Sequence, residues 1–504
     1  MSSKILSATV VGVDAELLEV EADTGGGEYG MVSIVGLPDT AVSEAKERVR
    51  SAIKNSGFHF PRLKTTINLA PAYLKKHGPS LDLPIAISIL CATGHISPRD
   101  VEGKLFVGEL ALNGTIRPVN GVLSMALKAK EEGVTTMFVP SSNAAEASLV
   151  EEVEVYSLDN LEQTIDHLGR KNPLTPTPVA DFDLTNNKNH FDMAYVRGQE
   201  HAKRALEIAA AGGHNIAMTG PPGSGKTLLA RSFNSILPDL TINEALEITK
   251  IHSAAGELNN PDTGLLTQRP FRSPHHSASA VALIGGGSLP RPGEVSLAHR
   301  GVLFLDEFTE FPKHILENLR QPLEDGVINV SRINKSITFP AQFTLVAAMN
   351  PCPCGYYGDE EKECNCTASQ IVNYSKKISG PLLDRIDLHI EVPRIKFEKL
   401  SSQDQEESSK KIKQRIHQAR HVQKERFGHR FHTNSEISSE IVKRVCPVNT
   451  EGQQLLKNAV ETMGISPRSY FRVLKIARTI ADLESEADIK TSHVAEALQY
   501  RPGQ

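Results

Sequence analysis

The sequence predicts an α/β multidomain protein containing a parallel sheet flanked by helices, and three observations carry that prediction. GPPGSGKT (220–227) stands between an apolar run, HNIAMT, and a helical run, LLARSFNSI. A second apolar run, GVLFLDEF (301–308), ends on adjacent acids. Across residues 1–168, stretches of strand and helix character alternate, the pattern of packed α/β layers.

The first element, MSSKILSATVVGVDAELLEVEAD, is apolar but broken by Asp14 and Glu16. It reads as a strand rather than an export signal. MVSIVGL is a buried strand, TAVSEAKERVRSAIKNSG a helix stopping at Gly57, KTTINLA a strand, and LDLPIAISILCATG an apolar helix. KLFVGEL, GVLSMALKAKEEG and TTMFVP continue the alternation. Residues 169–190 contain KNPLTPTPVADFDLTNNKNH, rich in Pro, Thr and Asn and without periodicity, and read as a linker. A second α/β domain spans 191–395. Residues 396–504 are polar and helical: SSQDQEESSKKIKQRIHQARHVQKERFG reads as a long exposed helix, and QQLLKNAVETMG and YFRVLKIARTIADLES carry apolar residues at helical spacing.

Composition excludes several classes. With 504 residues the chain has room for several domains, and 39% hydrophobic with 23% charged residues is ordinary for a globular protein. Aromatics are 5% with no Trp, which argues against a broad base-stacking platform. A net charge of −5 removes any whole-molecule basic field, so nucleic acid would have to be met by a local patch or pore. No apolar run approaches the ~18 residues of a membrane span. A cytoplasmic location is expected, and the six cysteines are then thiols or metal ligands rather than a disulfide framework.

The chemistry gathers in the second domain. In Gly220, Pro221, Pro222, Gly223, Ser224, Gly225, Lys226 and Thr227, glycines let backbone N–H groups close around phosphates. Lys226 reaches the β- and γ-phosphates of ATP, and the Thr227 hydroxyl ligates Mg²⁺. The strand ending at Asp306 delivers a second Mg²⁺ ligand, and Glu307 beside it can polarise the attacking water. FTLVAAMN ends in Asn350, placed to orient that water or to sense the γ-phosphate. In SGPLLDRIDLHIEV, Arg385 lies between two aspartates, a held cation suited to a neighbouring subunit's γ-phosphate. ISPRSYFRVLKIAR offers Arg468 at a helix start as a second phosphate sensor. Cys352 and Cys354 form one C-x-C, and Cys364 and Cys366 another, nine residues further on. Four thiolates from two short knuckles can close a tetrahedral Zn²⁺ site; free thiols or a redox pair are the alternative. Cys91 and Cys446 are expected in the core.

The order phosphate loop, LFLDE, AAMN, LLDRIDL, SPRSYFRVLKIAR resembles the AAA+ ATPases of the magnesium-chelatase/MCM branch. The resemblance implies a P-loop core with a C-terminal helical lid, Arg385 as arginine finger, Arg468 as the arginine of the second sensor, and a ring, usually a hexamer. It also implies that SASAVALIGGGSLPRPGEVSLAHRG is an insert facing the pore. VINVSRINKSITFP would be a hairpin turning at Asn334, its Arg332 and Lys335 either touching DNA in the pore or standing solvated.

KKHGPSLDLPIAISIL and VGELALNGTIRPVNGVLSMALKAKEEGVTTMFVP are similar to the proteolytic domain of Lon, a ribosomal S5 domain 2-like fold, with Ser80 on the nucleophile. The matching position of Lon's lysine base is Leu123, the nearest downstream lysines being Lys128 and Lys130. A serine without its base is a weak nucleophile, and Ser80 serves equally as a helix N-cap. The whole chain resembles the ComM/YifB family. That resemblance implies a cytoplasmic, hexameric, ATP-driven DNA helicase promoting branch migration while transforming DNA is integrated. The alternatives are a chelatase- or MoxR-like remodeller of protein or metal-insertion complexes and, less favoured because of Leu123, an ATP-dependent protease.

Overall fold

A computed structural model of the chain describes residues 3–25, 31–179, 182, 184, 191–258, 264–287, 290–331, 336–395, 406–428, 433–463 and 465–501. The N-terminal unit is a seven-stranded mixed sheet in the order Val32–Val35, Lys64–Ala70, Asp14–Gly25, Ser3–Val11, Lys104–Phe106, Thr136–Pro140, Glu154–Leu158. The N-terminal stretch read as one strand is a hairpin, antiparallel from Ser3↔Ala22 to Val11↔Asp14. Alternation assigns the two faces. Ile5, Leu18, Val20, Phe106 and Phe138 meet helices Thr40–Asn55 and Asp82–Ala92 on one side. Ala8, Ala15, Leu105, Met137 and Val155 meet helix Val122–Glu131 on the other. The stretch read as a linker begins in contact with this unit: Thr177 N–H donates to Val155 O at 2.7 Å, and Leu174 N–H to His167 Nδ1 at 2.8 Å.

The second unit holds a five-stranded, all-parallel sheet in the order Phe271–Arg272, Val302–Leu305, Thr344–Met349, Ile216–Thr219, Leu388–Glu391. Its three central strands are buried on both faces, as their apolar runs require. Ile216, Met218, Val302, Phe304, Val346 and Ala348 face helices Glu200–Gly212 and Lys226–Ile236. Leu303, Leu305, Leu345 and Ala347 face Phe308, Phe311, Ile315 and Leu319.

The C-terminal helices belong to the first of those cores. Helix Ser409–Phe427 is not the exposed helix its charge suggested: Ile412, Ile416, Ala419 and Phe427 are buried at helical spacing, in one cluster with Ile216 and Phe304. Three of its basic residues are paired with fixed acids. Lys413 pairs with Asp239 at 2.5 Å, Arg415 with Glu207 and Glu407 at 2.5 Å, and Arg426 with Asp482 at 2.5 Å. Helix Pro467–Leu483 packs across helices Glu200–Gly212 and Ser409–Phe427. No helix among the described residues is long and apolar enough to cross a membrane.

The two units are docked. Helix Val122–Glu131 lies against helix Ile242–Ala255, and Gly121 N–H donates to Ser253 O at 3.0 Å. Between them Glu146 is buried. It accepts from Ser253 Oγ at 2.5 Å, Asn143 Nδ2 at 2.7 Å and Leu123 N–H at 3.3 Å.

Candidate active site

The phosphate-loop strand Ile216–Thr219 sits between Thr344–Met349 and Leu388–Glu391, so the loop emerges at the carboxyl edge of the sheet, where open α/β sheets bind ligands. Helix Lys226–Ile236 begins on Gly225. Lys226 is buried, and its ammonium donates to Gly220 O at 2.7 Å and Pro221 O at 2.9 Å, with Asn350 Oδ1 at 3.5 Å. Burial pushes the Lys226 ammonium below its ordinary pKa, against the pull of Asp306. A cation held mainly by two loop carbonyls, at a helix start, suits a phosphate anion. Thr227 Oγ1 donates to Asp306 Oδ2 at 2.9 Å, an adjacent hydroxyl and carboxylate with the hard-oxygen chemistry Mg²⁺ takes. Lys226, Thr227, Asp306 and Asn350 are thus brought together from three neighbouring strands.

Glu307 takes a left-handed backbone conformation (φ +49°), uncommon for a residue with a side chain. Its carboxylate lies 3.2 Å from His276 Nδ1. That contact was not anticipated; the HH pair after the Phe271–Arg272 strand was its only trace in the sequence. A second unanticipated feature is a slot of about 240 Å³ beside Ser224 and Gly225, walled by Tyr195, Val196, Leu228, Leu229 and Ile395, with Arg197 and Gln199 also lining it. Its mostly apolar walls and few polar groups adjoin the phosphate loop, as a purine would need.

The Cys352, Cys354, Cys364 and Cys366 sulfurs all lie within 4.8 Å of one another, with separations of 3.3, 3.7 and 3.6 Å among the first three. A tetrahedral site with Zn–S of about 2.3 Å needs sulfurs about 3.8 Å apart, so the cage fits zinc. The N–H of Tyr356 bonds the Cys354 sulfur and lowers its pKa. The knuckle rests on the phosphate loop: a Cβ on Gly355 would lie 2.7 Å from Pro222 Cδ. Cys91 and Cys446 are buried, and burial pushes both thiols up to about 12.

Arg385 is not held by its flanking aspartates. Asp387 is taken by Arg472 at 3.0 Å and His214 at 3.2 Å, whereas Arg385 bonds Pro381 O at 2.6 Å and the Glu324 carboxylate. Arg468 bonds the other oxygen of Glu324 at 2.9 Å. Both arginines line a cavity of about 900 Å³ that also touches Asn215, Gly301 and Thr344. Those residues stand at or just before the starts of three sheet strands, so the arginines sit at the edge opposite their own phosphate loop. Arg332 and Lys335 lie outside the described residues; the hairpin that would carry them, Val327–Ser331 with Ser336–Pro340, is antiparallel.

In the N-terminal unit Ser80 is buried in the 3-10 turn Pro79–Leu81. It is not an N-cap: helix Asp82–Ala92 is preceded by Leu81 and has no side-chain cap, because the turn runs directly into it. Leu123 is fully buried, Lys128 pairs with Glu132 at 2.8 Å, and Lys130 pairs with Glu152 at 3.2 Å. Lys76, overlooked in the sequence, is fully buried beside this turn in the chain. Its ammonium, pushed down by burial, bonds Pro71 O.

A five-stranded parallel sheet with this loop, acidic strand end and helical cover defines a magnesium-chelatase-like AAA+ module, a class that implies ATPase activity with ATP and Mg²⁺. Three family models match: magnesium chelatase, subunit ChlI, over residues 192–400; subunit ChlI of Mg-chelatase over 20–143; and the C-terminal part of subunit ChlI over 406–501. The chain is 43% identical over 502 residues to competence protein ComM of Haemophilus influenzae, covering 99% of this chain and 97% of that protein. It is 42% identical over 501 residues to protein YifB of Escherichia coli, covering 99% and 97%. To the magnesium-chelatase subunit ChlI of Cyanophora paradoxa it is 24% identical over 340 residues, covering 62% and 84%. The chain belongs to the ComM/YifB family.

Proposed function

We propose that this chain is an ATP-driven DNA motor that works as a head-to-tail ring, a hexamer, and promotes branch migration while incoming DNA is recombined in natural transformation. The observation that carries the motor reading is the separation of two half-sites. The phosphate loop lies at the carboxyl edge of the sheet, and Arg385 and Arg468 lie at the opposite edge. One copy cannot close them on each other, whereas stacked copies can. DNA as substrate is supported by full-length similarity to a competence protein.

In this reading Lys226 and the loop N–H groups hold the phosphates, and the slot at Tyr195 and Val196 takes the base. Thr227 and Asp306 hold Mg²⁺, which draws charge off the phosphate oxygens when bound. Glu307 accepts the proton of the attacking water, and Asn350 orients it. Arg385 and Arg468 of the next copy neutralise charge developing on the γ-phosphate. The cysteine cage holds one Zn²⁺ and braces the loop at Pro222.

Residues 1–168 form a Lon-like, proteolytically inactive unit that scaffolds the ring or contacts DNA, 169–190 a connection, 191–395 the ATPase core, and 396–504 the lid. Leu123 in place of an amine supports the inactivity. A second reading, a remodeller of protein or metal-insertion complexes, is favoured by the chelatase-family matches across all three segments. ATP hydrolysis measured with and without branched DNA, alongside migration of a labelled four-way junction, separates the two. Stimulation with junction movement supports the motor; unstimulated turnover with a static junction removes it.

A further inference from the structure

Arg385 and Arg468 come from distant parts of the chain, yet both end on one carboxylate. Glu324 Oε2 accepts from Arg385 Nη2, and Glu324 Oε1 accepts from Arg468 Nη2 at 2.9 Å. The three residues stand on helix Arg320–Asp325, on the turn after helix Gly380–Leu383, and at the start of helix Pro467–Leu483. A carboxylate that places one oxygen on each guanidinium presents the same kind of acceptor as two oxygens of a phosphate, and arginine forks bind either.

Two further observations bear on this pair. The Arg385 side chain is nine-tenths buried, and its Nε has no hydrogen-bond partner among the described residues, so the guanidinium keeps a donor unused. Glu324 is about half exposed at the mouth of the arginine-lined cavity, where an arriving anion can reach it.

We propose that Glu324 is an internal stand-in for the γ-phosphate. It gathers Arg385 and Arg468 into one anion-binding pair and occupies that pair until the phosphate of a nucleotide on a neighbouring copy displaces it. This rests on the reading that the two arginines act on a neighbour's nucleotide. Glu324 is a positioning residue with a cost: carboxylate and phosphate compete, so the apparent affinity for the engaged state falls by the fraction of time the carboxylate holds the pair.

The test uses the full-length chain and its Glu324→Gln, Glu324→Asp, Arg385→Ala and Glu324→Gln/Arg385→Ala variants. ATPase rates are measured against ATP and protein concentration, with melting temperatures as a check on folding. Glu324→Gln is expected to lower both KM and the protein concentration for half-maximal rate by about three- to tenfold, at unchanged melting temperature. Glu324→Asp, which keeps the charge, should stay within about twofold of wild type. In the Arg385→Ala background, where Glu324 holds only Arg468, the Gln substitution should shift both parameters by less than it does in wild type. An unchanged or raised KM in Glu324→Gln, or an equal shift without Arg385, overturns the stand-in. Full turnover by Arg385→Ala alone sinks the underlying finger reading instead.

Discussion

At Glu307 the backbone turns left-handed and the carboxylate points at His276, 3.2 Å away. Glu307→Gln keeps the shape and removes the carboxylate proposed to take the water's proton. Nucleotide binding, followed by a fluorescent ATP analogue, should persist, while turnover falls by at least about a hundredfold. Near-normal hydrolysis would show that another group handles the water. Lys226→Ala should instead weaken binding itself, because the cation that faces the phosphates is gone. Lys226 and Thr227 were legible because phosphate binding fixes their spacing within one loop, and Asp306 because an apolar strand run ends on it. His276, Glu324 and the slot beside Tyr195 were not, since each meets its partner only through folding. Arg385 was half legible: its held state could be read, but its holder sits on another helix.

Among the elements, strand Leu388–Glu391 carries His389, whose pKa burial lowers from 6.5 to about 4. The folded form resists a proton that the unfolded chain accepts. Stability is therefore full above pH 6.5 and drains away as pH falls from 6.5 towards 4, by about 3 kcal/mol at most. Denaturant unfolding at pH 7 and pH 4.5 should show an acid loss smaller by roughly 2 kcal/mol in His389→Gln than in wild type; equal losses would acquit this histidine. The cysteine knuckle makes a compositional prediction: elemental analysis of chelator-free protein should find about one zinc per chain, falling to near zero in Cys364→Ser. Zinc-free wild type would return the four sulfurs to ordinary thiol chemistry. Most elements were legible from two periods, alternation in strands and helical spacing in Thr40–Asn55 and Pro467–Leu483. Helix Ser409–Phe427 was misread because its charges outnumber a narrow stripe of Ile412, Ile416 and Ala419.

Across the whole molecule, the separation of the half-sites makes a mixing prediction. Arg385→Ala and Lys226→Ala should each be nearly inactive alone, yet regain activity when combined, since mixed rings contain intact loop–finger pairs. The finger's contribution is on the order of a thousandfold or more in rate. Mixed assemblies that form and stay silent would count against Arg385 acting on a neighbouring copy's nucleotide. The docking of the two units makes another. Glu146→Ala strips the acceptor from Ser253, Asn143 and Leu123, and should destabilise the protein by about 2–4 kcal/mol, read as a lower melting temperature. An unchanged transition would mean that the buried hydrogen bonds contribute nothing net. That docking left no mark in the sequence, because the Glu146 carboxylate and the serine, asparagine and backbone groups that donate to it meet only through folding. The composition of 169–190 reads as a linker; at its start, Thr177 N–H donates to Val155 O of strand Glu154–Leu158, which ties that part to the sheet.

Behind Glu146 the chain passes through Gly264 at φ +62°, where an added Cβ would lie 2.3 Å from the Glu146 nitrogen. A methyl there has nowhere to go except between the units. Gly264→Ala would strain this left-handed backbone and press on Glu146 across the junction, and should lower the melting temperature. At this junction the two units meet across the width of a single glycine hydrogen.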